Sequence, residues 1–186
     1  DVMPRGIAMN RTDHICLMAQ YNEWMNARLY ETPKSLPETK LREDAKAFFG
    51  SILGTLNHLI VSDTIWLRRF SGHPANYSAL GIVKDLPVPT SLDQMIFSDI
   101  ESLSAHRKLL DQTIREFADS IADSDLDFAL SYSNMKGIAA KRNFFSLLIH
   151  FFNHQTHHRG QTTTLLSQAG TDVGVTDILV LIPDEV

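Results

Sequence analysis

The chain has 186 residues, with 17 Lys and Arg against 22 Asp and Glu, a net charge of -5, eight His and one Cys. That length suits a single domain able to bury a core, and 44% apolar with 21% charged residues excludes a disordered chain. The acidic balance offers no basic field for phosphates, so nucleic acid is not expected as the main ligand, and Cys16 has no partner for an intrachain disulfide.

In chain order, the first predicted helix spans about Thr12 to Glu31, with Thr12 or Asp13 as N-cap. Its apolar positions, Ile15, Met18, Tyr21, Met25 and Leu29 among them, recur at three- and four-residue spacing. A second runs from about Arg42 to Phe70 and is apolar nearly all round, Phe48 and Phe49 included, as expected of a central helix. Proline crowds the loop from Gly72 to Thr90, and Ser91 then reads as the N-cap of a third helix ending near Ile121. Between Leu126 and Arg142, Phe128, Leu130 and Tyr132 alternate with small polar residues before the turn sequence Asn134-Met-Lys-Gly137, which predicts a short β-hairpin. The fourth helix extends from about Phe144 to Ala169 and stops at Gly170; the tail from Ile178 to Ile182 is expected to dock on the body.

Four long helices predict an all-α helical bundle. No apolar run approaches the roughly 20 residues of a membrane span, since Ser146 and His150 interrupt the stretch from Phe144 to Phe152. The opening Asp-Val-Met-Pro-Arg-Gly lacks the apolar core of a signal peptide, so a cytoplasmic protein without membrane contact is expected.

Histidine carries the functional signal. Four of the eight fall between His150 and His158, within Asn153-His-Gln-Thr-His-His-Arg-Gly-Gln161. Residues four apart project from nearly one helix face, so a His pair at that spacing can reach one metal ion. With His154 at zero on a helical wheel, His158 falls at about +40° within the apolar arc, while His150 and His157 fall near -40° and -60°. The inward pair is therefore His154/His158, with His150 and His157 at the rim. Gln161, at about -20°, is a candidate to orient a ligand, whereas Arg159, at about +140°, is expected in a structural salt bridge or an interface. The third ligand is expected from His58, whose face of the second helix carries Ser51, Gly54, Thr55 and Ser62, residues small enough to leave a hollow. Asp63 lies close in sequence and could orient a ligand or bind substrate. Gly160 suggests close packing of another helix, and Trp24, Asn26 and Arg28 read as packing groups. Against the metal reading stands a plainer one, in which these histidines are hydrogen-bonded core or surface residues.

Three stretches are similar to the DinB/YfiT-like family, a group distinct from the DNA polymerase of similar name. They are Tyr21-Asn-Glu-Trp-Met-Asn-Ala-Arg-Leu29, Phe49-Gly-Ser-Ile-Leu-Gly-Thr-Leu-Asn-His58 with Asp63 and Trp66-Leu67, and Asn153-His-Gln-Thr-His-His-Arg-Gly-Gln161. The resemblance implies one DinB-like four-helix-bundle domain over residues 1–186, often a homodimer. It also implies a divalent metal ion, zinc or nickel, on His58, His154 and His158. It further implies an enzyme acting on a small molecule, either a transferase using a low-molecular-weight thiol or a hydrolase. The alternative is a non-catalytic metal- or ligand-binding stress-response protein.

Overall fold

The structure is a computed structural model that describes residues 9–184; the opening segment read above for a signal peptide lies outside them. Apolar periodicity resolves into four long helices, α1 (Arg11–Glu31), α3 (Ile52–Phe70), α5 (Ile100–Ser120) and α6 (Phe144–Gln168), with short helices α2 (Glu38–Arg42) and α4 (Gly81–Asp85) between them. Helix α1 packs on α5 and α6, and α3 packs on the same two, closing a core around Leu29, Leu56, Leu110, Ile114, Phe144 and Leu148. Burying such side chains contributes about 1.5–3 kcal/mol each, which is what holds helices of modest intrinsic propensity in place. Among the described residues no helix is long and apolar enough to cross a membrane.

Strands β1 (Ala129–Ser133) and β2 (Ala139–Asn143) form the expected hairpin, paired antiparallel with Leu130 opposite Arg142 and Tyr132 opposite Ala140. The Asn134 side chain accepts from Lys136 N–H and Ile138 N–H, and Gly137 takes a φ of 76°, so the turn residues do the work their chemistry suggests. Helix α6 ends as expected. Gly170 at φ 84° lets its own N–H reach Ser167 and the Thr171 N–H reach Leu166, a Schellman closure.

Three boundaries differ from the sequence reading. Helix α1 is capped by Asn10 rather than Thr12 or Asp13, because Asp13 occupies the third helical position and completes a reciprocal capping box. The second predicted helix does not start at Arg42. Residues 43–51 turn instead, with Lys46 and Gly50 at positive φ and an Ala47–Gly50 bridge, and Ser51 caps α3. Phe48, expected on a buried face, is 86% exposed as a result. The third predicted helix starts not after Ser91 but after Asp99, which accepts from Ser102 N–H. The side chains of Asn57 and His58 pin the intervening residues: Asn57 bonds both N–H and C=O of Phe97, and His58 holds the carbonyl of Leu92. Tethered at those two points, residues 90–99 form turns and bends instead of the first turns of a helix. In the tail, Ile178 and Leu181 pack on the core, while Leu179 and Ile182 are exposed.

Candidate metal centre

Helices α3 and α6 bring His58, His154 and His158 together. Their ligand atoms all lie within 4.8 Å of one another. His58 Nε2 is 3.2 Å from His158 Nε2, which is 3.1 Å from His154 Nε2. Three imidazoles on one tetrahedral ion at ~2.0–2.1 Å would place their nitrogens about 3.3 Å apart, so the spacing fits a shared cation. The rings are tilted rather than parallel, with interplanar angles of 73° and 64° between the neighbouring pairs, and their Nε2 atoms converge.

Proton placement follows from the outer contacts. His58 Nδ1 lies 2.8 Å from the Leu92 carbonyl, which only accepts, so Nδ1 carries the proton. His158 Nδ1 lies 2.8 Å from Gln161 Oε1 and donates in the same way. Both neutral rings therefore turn bare Nε2 lone pairs toward each other at 3.2 Å. That contact is repulsive without a cation to share. Neutrality is enforced by burial, which pushes His58 down to about 4 and, aided by its histidine neighbours, His154 down to about 3. Burial lowers His158 as well. Metal ligation requires neutral imidazoles, and His58 and His154 are neutral well below pH 7.

The remaining candidates divide. Gln161 bridges, with its oxygen on His158 and its nitrogen 3.3 Å from His157 Nε2. His157 and His150 are exposed, their rings 4.8 Å from His158 and 5.9 Å from His154. Asp63 hydrogen-bonds none of the three histidines. It is buried, taking Arg107 Nη1 at 2.6 Å and Gln155 Nε2 at 2.9 Å. Arg159 is likewise buried, but in no salt bridge among the described residues; it bonds Asn22 and Thr156 and lies over Tyr21, while burial lowers its pKa to about 10. Asn26 is a buried polar group that donates to Asp111. Arg28 covers Trp24 at 3.9 Å, a packing pair as expected. A Cβ on Gly160 would meet nothing within 4 Å, so no neighbouring helix accounts for that glycine. Cys16 is half-buried, and burial raises its thiol pKa, the reverse of an activated thiolate.

Two residues that shape the centre escape a helix-wheel reading. The hollow expected beside His58 is filled by Phe49, whose ring stacks on the imidazole at 3.7 Å. Gly54 makes room for that approach, since a Cβ there would sit 2.1 Å from the Phe49 carbonyl oxygen. The second is Leu92, which orients His58 from a loop. Gly50-Ser51 before a long apolar run was the available sign that the helix starts late.

Comparison with known proteins agrees with this arrangement at the level of family and fold. Residues 9–184 match the DinB family. The chain is 28% identical over 167 residues to Protein DinB of Bacillus subtilis strain 168, covering 89% of this chain and 92% of that one. Its fold resembles the crystal structure of a DinB-like protein from Bacillus cereus ATCC 10987, with a TM-score of 0.54 and 22% identity over 84% of this chain and 91% of that one. This chain belongs to the DinB family.

Proposed function

We propose that this chain is a divalent-metal-binding protein in which His58, His154 and His158 are the ligands, carried on a single four-helix-bundle domain that pairs as a homodimer. The observation that supports it is the pair of bare Nε2 atoms 3.2 Å apart on His58 and His158, both Nδ1 protons being committed to oxygen acceptors. A cation removes that repulsion; neither His58 nor His158 has a ring proton left to do so.

We further read the centre as catalytic, in transfer to or from a low-molecular-weight thiol or in hydrolysis, with zinc or nickel the metal that the family resemblance implies. A divalent ion held by three imidazoles would supply Lewis acidity and lower the pKa of a thiol or water at its remaining positions. The chain itself fixes the ligand geometry through Leu92 and Gln161 and shields one side of His58 with Phe49. His150 and His157 stand beside the ligands, placed to exchange protons with a substrate at the mouth.

Metal analysis of protein purified without a polyhistidine tag tests the centre. About one divalent ion per chain is expected, falling to background in His58→Ala and His154→Ala. Metal content that survives both substitutions would reject the site. Turnover of a thiol-transfer panel that disappears on chelation and returns with metal supports catalysis; metal binding without turnover favours a binding protein.

A further inference from the structure

Phe48 is 86% exposed, yet the backbone that carries it is closely tied. In the turn before α3, the Ala45 N–H donates to the Gly50 carbonyl, the Gly50 N–H to the Ala47 carbonyl and the Ser51 N–H to the Phe49 carbonyl. Lys46 takes a φ of 56°, uncommon for a residue with a side chain, and Asp44 accepts from both its N–H and its ammonium group. A scattered apolar residue on a surface needs no account, but a large ring held out by a strained and hydrogen-bonded turn does.

That turn ends on the histidine centre. Phe49 lies flat on His58, with 15° between the ring planes, and sits edge-on to His158 with ring centres 5.5 Å apart. Phe48 stands edge-on to Phe49, 4.9 Å away. Apolar surface thus runs from a ligand ring outward to solvent. The second loop that touches His58 repeats the pattern. Leu92 gives its carbonyl to Nδ1, and its own side chain is left 51% exposed.

Charge at the centre points the same way. The side chains that meet the three imidazoles from outside the trio are Phe49, Gln161, His150 and His157, and none is a carboxylate. A divalent ion on three neutral rings would keep its full charge, which favours an anionic sulfur or oxygen beside it. The apolar rim in turn favours a molecule whose remaining body is apolar.

We propose that Phe48 sets specificity at this centre by packing on an aryl or branched-alkyl group of a substrate whose anionic sulfur or oxygen faces the three histidines. The proposal deepens the metal-centre reading and rests on it. Phe48 touches none of the ligands, so its part is selection of the substrate and not retention of the metal.

The full chain loaded with cobalt(II) tests this with two thiols of similar acidity, phenylmethanethiol and 2-mercaptoethanol, their binding followed by visible absorption. Metal content, thermal melts and light scattering are measured for each variant. Wild type should bind phenylmethanethiol at least about tenfold more tightly, the gain expected from taking a phenyl ring out of water. That ratio should fall to about threefold or less in Phe48→Ser and return in Phe48→Leu, with metal content unchanged in both. Leu179→Ser, which removes a 70% exposed apolar side chain from the C-terminal tail, should keep the wild-type ratio. Absence of a cobalt spectrum in wild type rejects the metal reading and the proposal with it. A normal cobalt spectrum with equal affinity for the two thiols overturns the proposal alone, as does an equal fall of the ratio in Leu179→Ser. A ratio that survives in folded Phe48→Ser also overturns it, and a lower mass in that variant would then make Phe48 a contact between subunits.

Discussion

Two polar clusters sit one residue out of step on α6. His154 and His158 face His58, while Gln155 and Arg159 face Asp63 and Asn22. The second cluster balances its charges, although Asn26 Oδ1, Arg107 Nε, Gln155 Oε1 and Arg159 Nε are buried without a hydrogen-bond partner. Arg107 lies 2.6 Å from Asp63 and 2.8 Å from Asp111, and Asn22 and Asn26 also donate to Asp111. With Arg159 it holds two acids and two bases. The first cluster contains bases only, with the Nε2 lone pairs of His58 and His158 turned on each other. A buried cluster whose acids and bases answer one another belongs to the architecture; one made only of metal-ligating bases is where a cation from outside can bind.

Breaking the charge-balanced cluster should have the larger effect. Arg107→Met leaves Asp63 and Asp111 buried without their cation, and a loss of about 3–5 kcal/mol in urea denaturation is expected. The folded fraction should still take up metal. A loss below about 1 kcal/mol would mean that the two carboxylates do not depend on Arg107.

At the histidine cluster the effect moves from stability to affinity. Gln161→Ala removes the acceptor that fixes the His158 tautomer, and metal affinity should fall about 10- to 100-fold in competition with a chromophoric chelator. Thermal stability of the metal-free protein should hardly change. An unchanged affinity would show that ring packing alone orients His158.

Acid separates the clusters in a third way. The folded pKa values of His58 and His154, about 4 and about 3, lie below the ordinary value of 6.5. A depressed pKa means that the unfolded chain binds the proton first, so this stability is present above pH 6.5 and is lost as pH falls toward 4 and 3. Each histidine contributes at most about 1.4 kcal/mol per pH unit, less for His154, which keeps solvent contact. Metal-free wild type should therefore weaken between pH 6.5 and 4, and His154→Ala should weaken less steeply. Equal slopes would place the acid sensitivity elsewhere.

The same contrast explains what could be read from sequence. The histidine trio was legible because one helix periodicity fixes His154 and His158 on a common inward side, and His58 stands out in an apolar helix. The hairpin was legible from the chemistry of Asn134 and Gly137. The balanced network was not, because Asp63, Arg107, Asp111 and Asn22 come from three helices whose mutual rotation no single helix encodes. Asp63 was drawn toward the histidines by sequence proximity, yet five residues beyond His58 turns it well away on the wheel. Phe49 and Leu92 were missed for another reason. Side chains of α3 hold their segments out of helix, and that tertiary effect overrides the local pattern.

The smallest effect falls between the clusters, at Gly160, one residue past Arg159 and two past His158. It is exposed, and a Cβ would meet nothing within 4 Å. Gly160→Ala should therefore raise stability by about 0.5–1 kcal/mol, since only the helix preference changes, and should leave metal affinity alone. The glycine then needs no packing reason within the chain. If the substitution instead destabilises the protein, or lowers the mass measured by light scattering, the crowding comes from another molecule. Gly160 would then lie where a second copy packs on α6, beside the mouth of the histidine centre, and the rim formed by His157 would be shared between subunits.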